Sequence, residues 1–210
     1  MDDPAQALAY HRADFSASHG ERVGIFRRCF PAMQLCGPVL DLGCGSGDVL
    51  FRFARAFPAA WFVGLDGSKP MLDLAGTALQ HDVELRHRIG FLRAVIPTAA
   101  LPKLPWQLVM SHSLLHQLHR PQVLWETIRE ARPPGGAVFV ADLRRPASVS
   151  EAREIVAQLS GGEPEMLQRD FYNSLCAAFE PDEVRAQLAA AGLSDLTVES
   201  VGENHLVVFG

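Results

Sequence analysis

Residues 43–47, GCGSG, stand directly between an apolar run, VLDLG (39–43), and a segment with helical spacing, GDVLFRFARAF (47–57). A strand, a glycine-rich turn and a helix in immediate succession form the ligand-facing unit of an open parallel sheet. Glycines there admit positive φ and let ligand atoms approach the main chain. Taken alone, the loop also reads as a turn that binds nothing. Two acids narrow the choice. Asp66 ends the next apolar run, WFVGLD (61–66), 19 residues beyond Gly47. A carboxylate at that place can accept hydrogen bonds from ribose hydroxyls. Asp41 lies inside the first strand, two residues before Gly43. A carboxylate there repels a pyrophosphate and suits a cationic ligand with an ammonium and a sulfonium. The alternative is a strand-end residue that caps local backbone amides. The spacing is GxGxG rather than the GxGxxG of dinucleotide loops.

Short apolar runs and helical segments alternate on either side of this loop. Strands are expected at 39–43, 61–66, within 88–95, at 106–112 and at 137–143. Helices are expected at 47–57, at 68–80 with Ser68 as N-cap and Pro70 in the first turn, and from about Pro121. After residue 143 the rhythm changes to helical segments near 148–159, 164–178 and 181–191. The runs LTVESV (196–201) and NHLVVFG (204–210) follow, joined by Gly202–Glu203, which calls for a tight antiparallel hairpin. The fold class is therefore α/β, a doubly wound and mostly parallel seven-stranded sheet with a C-terminal antiparallel hairpin and helices on both faces. Residues 1–210 read as a single domain, with 1–37 an N-terminal helical cap in which Phe26, Cys29, Phe30 and Met33 fall at helical spacing.

A net charge of −5 and a pI of 5.9 argue against a nucleic-acid partner. The densest basic spots, Arg27–Arg28, Arg86–His87–Arg88 and Arg144–Arg145, are too short for a phosphate track. The longest apolar stretches are strand-sized, so no membrane span is expected. The N-terminus begins with two acids and does not read as a signal peptide. Cys29, Cys36, Cys44 and Cys176 show no CxxC spacing, and reduced thiols in a cytoplasmic protein, a monomer or homodimer, are expected.

At this point VLDLGCGSGDV resembles the first motif of the class I S-adenosylmethionine (SAM) dependent methyltransferases of small-molecule type, and FVGLDGSKPML (62–72) resembles their second. WQLVMSHSLLHQLHRP (106–121) and REARPPGGAVFVADL (129–143) look like their fourth and fifth strand segments. The resemblance implies SAM as cofactor and S-adenosyl-L-homocysteine (SAH) as product. It implies that Gly43, Cys44, Gly45 and Gly47 line the cofactor, that Asp41 sits beneath its amino acid part, and that Asp66 binds the ribose. Gly67, Met71, Ala94 and Val95 would adjoin the adenine, and Ser111 and His112 the reacting methyl. It further implies that 144–180 forms a helical lid over the acceptor. Two departures stand out: RAVIPTAALP (93–102) has no acid to bind the adenine amino group, and Gln107 replaces a frequent Asp.

The catalytic candidates are His112, His116, Asp142 and Tyr172. His112, His116 and His119 fall on one face if their segment is helical, which also leaves open packing roles or an HxxxH metal site. No carboxylate or Cys lies close in sequence to complete a metal shell, so no metal is expected. Asp142 ends the fifth strand, where such sheets put their chemistry, or else pairs with Arg144 or Arg145. Tyr172, with Asp170 and Asn173, reads either as lid or as ordinary helix packing. Tyr10 and His11 are placed to close over the cofactor. The expected function is methyl transfer to a small-molecule acceptor by in-line displacement. The alternatives are a SAM-binding sensor or scaffold and an NAD(P)-dependent oxidoreductase.

Overall fold

The computed structural model describes residues 3–12 and 16–210; the parts of the expected cap at residues 1–2 and 13–15 lie outside the described residues. Seven strands form one sheet: β1 (Pro38–Leu42), β2 (Trp61–Asp66), β3 (Ile89–Arg93), β4 (Leu108–His112), β5 (Ala137–Leu143), β6 (Thr197–Val201) and β7 (His205–Phe209). Their order is β3-β2-β1-β4-β5-β7-β6. The first five are parallel, and β7 runs antiparallel to both β5 and β6. The helices are α1 (Pro4–Arg12), α2 (Ser16–Cys29), α3 (Asp48–Ala56), α4 (Lys69–Gln80), α5 (Gln122–Ala131), α6 (Val149–Ser160), α7 (Glu165–Ala177) and α8 (Pro181–Ala191). The expected doubly wound sheet with its C-terminal hairpin is the observed one. Its strand order reverses between β1 and β4, which opens a crevice at their carboxyl ends.

Each sheet face buries its own core. On one face Phe26 of α2 meets Phe53, Phe57 and Phe139 at centroid distances of 5.4 Å, all three edge-on. Burial of each such ring stabilises the fold by about 2–3 kcal/mol, so this cluster fastens the cap helix to the sheet. On the other face Leu124, Trp125 and Ile128 of α5 and Val184 and Leu188 of α8 cover Leu40, Val138 and Val140. A smaller core of Leu143, Ile155, Val156, Leu175 and Ala178 joins α6 and α7, with Phe171 and Tyr172 against it.

Gln107 explains one departure from the family pattern. Its Oε1 accepts from the backbone N–H groups of Cys36 (2.9 Å) and Gly37 (2.7 Å), and its Nε2 donates to Gln34 O (2.8 Å). The amide thus ties the segment leading into β1 to the start of β4. An aspartate has no donor for the third bond.

Most boundaries shift by a residue, and two places differ in a way that matters to the hairpin and the site. The hairpin join spans Gly202–Asn204, one residue longer, with Gly202 at φ 61°. A three-residue turn with a left-handed residue suits the twist of the flanking strands. The β4 strand begins at Leu108 rather than Trp106, and after His112 the chain turns through Ser113 at φ 52° into a 3₁₀ turn, Leu115–Gln117. His112, His116 and His119 therefore do not share a helical face.

Candidate functional site

The crevice at the switch point holds a cavity of about 290 Å³, lined from both sides by the β1–α3 loop and by the residues that follow β4. Its floor is set by backbone geometry. Gly43 N and Cys44 N both donate to Leu65 O, at 2.7 and 3.0 Å, which carries the β1–β2 ladder into the loop. Gly43 and Gly47 take φ of 75° and 86°. A Cβ at Gly43 would lie 2.9 Å from Leu114, and one at Gly47 2.9 Å from Phe51. Conformation and space together exclude a side chain at both positions.

Asp66 ends β2 and fastens the loop from below. Its Oδ2 accepts from Gly45 N and its Oδ1 from Ser68 N, both at 2.8 Å. Each oxygen keeps further acceptor capacity, and the residue lines the cavity. Ser68 in turn caps α4 by accepting from Met71 N at 3.4 Å.

Asp41 is the unusual group. It is 2 % exposed, lines the cavity, and its Oδ1 has no hydrogen-bond partner among the described residues. Burial, and then the Asp66 carboxylate, push its pKa up to about 8. A carboxylate in this state lacks a cation. The Cys44 thiol, packed beside Gly64, is likewise pushed well up by burial and then by Asp41 and Asp66, which makes it inert as a nucleophile at neutral pH.

Among the expected cofactor residues, Asp41, Gly43, Cys44, Gly45, Gly47, Asp66, Gly67, Met71 and Val95 all line the cavity. Ala94 and Ser111 are not among its lining residues. Ala94 contributes backbone, its N–H bonded to Asp66 O at 3.0 Å. Ser111 is fully buried and donates its hydroxyl to Leu42 O at 2.8 Å, across the sheet rather than into the cavity. Of the expected catalytic residues His112 lines the cavity, its ring 5.7 Å from those of Phe53 and Phe139. His116 and Asp142 stand behind it, buried and joined by a 2.6 Å contact from Nδ1 to Oδ1. Asp142 also accepts from Leu115 N and Leu143 N at 2.8 Å, so it organises the 3₁₀ turn. The carboxylate is thus engaged by His116 and two backbone amides rather than by Arg144 or Arg145, and Arg145 pairs with Glu183 at 2.7 Å. Tyr172 packs in the small core between α6 and α7, away from the cavity lining. Tyr10 of α1 lines the cavity, while His11 is exposed. Burial, then Asp142, then Asp48 push the Tyr10 hydroxyl up to about 12.

Arg22 escapes sequence reasoning. It is 3 % exposed on α2, its Nε has no hydrogen-bond partner among the described residues, and burial lowers its pKa against the pull of Asp142, Glu21 and Tyr10. The signal was present: Arg22 lies three and four residues before Ile25 and Phe26, so it falls on the buried stripe of its helix. Among the described residues no three His, Cys, Asp or Glu side chains converge as metal ligands, and no helix is long and apolar enough to cross a membrane.

The arrangement has the architecture of a class I SAM-dependent methyltransferase. A solved SAM-dependent methyltransferase from Aquifex aeolicus shares the fold at a TM-score of 0.72 and 16 % identity, with 99 % of this chain and 97 % of that one aligned. A plantazolicin methyltransferase in complex with SAH gives the same TM-score at 14 % identity, over 99 % of this chain and 90 % of that one. In sequence, residues 39–136 match the family model described as a methyltransferase domain. The trans-aconitate 2-methyltransferase of Deinococcus radiodurans is 34 % identical over 106 residues, which cover 49 % of this chain and 36 % of that protein. The chain spans about half or less of the length of the curated relatives it matches.

Proposed function

We propose that this protein transfers the methyl group of SAM to a small-molecule acceptor, and the observation that carries the reading is Asp41. A buried carboxylate with an unmatched oxygen at the mouth of a glycine loop is a site for a cation. The ammonium of SAM meets that need, whereas the pyrophosphate of a dinucleotide would add a second anion to an already desolvated one. Arg22 supplies the complementary charge, a buried guanidinium suited to the carboxylate of the same amino acid group. Asp66 is held by two backbone amides with lone pairs left for the ribose diol. The cavity is of the size class of small-ligand sites.

SAM, when bound, supplies an electrophilic methyl on a sulfonium. The chain's part is to position the acceptor in line with the S–CH₃ bond and to exclude water. His112, at the end of β4 and in the cavity lining, is the first candidate to contact the acceptor or take its proton. Asp142 holds His116 and the 3₁₀ turn beside it, a positioning role. Tyr10 closes the cavity from α1. The hairpin of α6 and α7, with Tyr172, is proposed as the lid that reads the acceptor. The test is SAH release from SAM across a metabolite library. Turnover with one acceptor class supports the reading. Tight SAM binding with no acceptor ever methylated favours a sensor or scaffold instead.

A further inference from the structure

One residue of the cavity wall is held in a conformation that its type disfavours. Ser113 follows β4 at φ 52°, the one residue other than glycine with positive φ among the described residues. The turn demands it. Ser113 N still donates to Ala141 O at 3.0 Å and so extends the β4–β5 pairing, yet two residues later Leu115 N donates to Asp142 Oδ2 at 2.8 Å. Between these anchors the chain leaves the sheet and enters the 3₁₀ turn. Glycine makes so sharp a change at little cost, whereas a residue with a Cβ makes it under strain. Strain of this kind gathers at ligand sites, and Ser113 lines the cavity. Its carbonyl is engaged by Gln117 Nε2 at 2.8 Å, which completes the turn. Its hydroxyl makes no hydrogen bond among the described residues, and the residue is half-buried.

Topology places that hydroxyl. With the ribose on Asp66 at the end of β2 and the ammonium at Asp41 in β1, the sulfur of SAM lies between the two. The β4 strand flanks β1 on the side away from β2, and His112, Ser113, Leu114 and Gln117 form that wall of the cavity. The third substituent of the sulfonium, the methyl, then points toward this wall, and the acceptor must meet it on the same line. Resting on the SAM reading above, we propose that Ser113 is a further residue of the transfer point, kept as a serine despite the strain. Its hydroxyl oxygen accepts from the positively polarised group there, whether the C–H bonds of the methyl or the N–H or O–H of the acceptor. It takes no proton and forms no bond to carbon. Its part is to hold methyl and acceptor in line.

The experiment is calorimetric titration of wild type, Ser113→Ala and Ser113→Gly with SAH, SAM and sinefungin, the analogue that carries an amine on carbon in place of the S-methyl group. SAH has nothing at the transfer point, so both variants should bind it within about twofold of wild type. Sinefungin places N–H donors there, and both variants should bind it about 5- to 20-fold more weakly. SAM separates the two sources. A loss of SAM affinity of about threefold assigns the contact to the methyl; unchanged SAM affinity beside weakened sinefungin assigns it to the acceptor's N–H or O–H. Equal losses for SAH and sinefungin, or none for sinefungin, overturn the proposal and leave the SAM reading intact. Failure of SAH to bind wild type removes both. Denaturant unfolding gives an independent readout. Ser113→Gly should unfold at a midpoint no lower than wild type, because glycine relieves the strain of the turn. A lower midpoint would mean that the serine serves the turn itself, and would overturn the proposal.

Discussion

Asp41 offers the sharpest perturbation. Its carboxyl is pushed up to about 8 in the ligand-free protein, so at pH 7 only about a tenth of the molecules carry the charge that an ammonium needs. Binding of SAH then requires loss of a proton. Affinity should rise about fivefold from pH 7 to pH 8, and fall about tenfold more from pH 7 to pH 6. Calorimetry at pH 7 in two buffers of different ionisation enthalpy should register close to one proton released per SAH bound. Asp41→Asn cannot ionise. It should bind SAH about 10- to 100-fold more weakly than wild type at pH 8, the cost of a lost charge-assisted pair, with a flat pH profile. Stability has the opposite sense. The unfolded chain releases this proton near the ordinary 3.8 and the folded chain only near 8, so the group's stabilisation is complete below about pH 4 and is lost as pH rises toward 8. At about 1.4 kcal/mol per pH unit, the ligand-free wild type carries a penalty of a few kcal/mol at pH 8 that the variant escapes. Asp41→Asn should therefore melt higher than wild type at pH 8 and not at pH 4.5. A pH-independent affinity in wild type, or a melting difference that is the same at both pH values, would refute the reasoning.

Other perturbations probe the remaining parts. Arg22→Gln should weaken SAH about tenfold or more, since only a cation pairs with its carboxylate; an SAH titration equal to wild type removes Arg22 from the site. Asp66→Ala should cost about one to a few kcal/mol of SAH affinity, read in the same titration, and unchanged binding rules out the ribose role. His112→Gln should lower turnover far more than SAH affinity; equal losses in kcat and in binding would show that His112 serves the cofactor and not the reaction. Gln107→Leu severs three links, an exposed one to each of Gln34 and Cys36 and a part-buried one to Gly37, and should destabilise by about 1–2 kcal/mol in denaturant unfolding while leaving SAH affinity within about twofold.

Much of this was legible in the sequence because it depends on local patterns. The strands follow from short apolar runs, and the loop, Asp41 and Asp66 follow from their offsets to those runs. What escaped depends on direction and on partners distant in the chain. Ser111 and His112 were both expected at the cavity, but successive strand residues point to opposite faces. His112 faces the phenylalanines and the cavity, and Ser111 turns to Leu42 O. The spacing of His112, His116 and His119 suggested a helix, but Asp142, 26 residues beyond His116, draws the segment into a 3₁₀ turn through Leu115 N and His116. Arg22 was hidden for a different reason. Its position matters only because the Phe26 cluster docks α2 against the sheet, a contact that joins residues 26, 53, 57 and 139.

The central claim is that the cavity is made for a zwitterionic, cationic cofactor and not for a dinucleotide. Parallel calorimetric titrations of the wild-type protein with SAH and with NAD test it most directly. The account predicts one SAH bound per chain and no heat of binding from NAD. Binding of NAD with no response to SAH would contradict it.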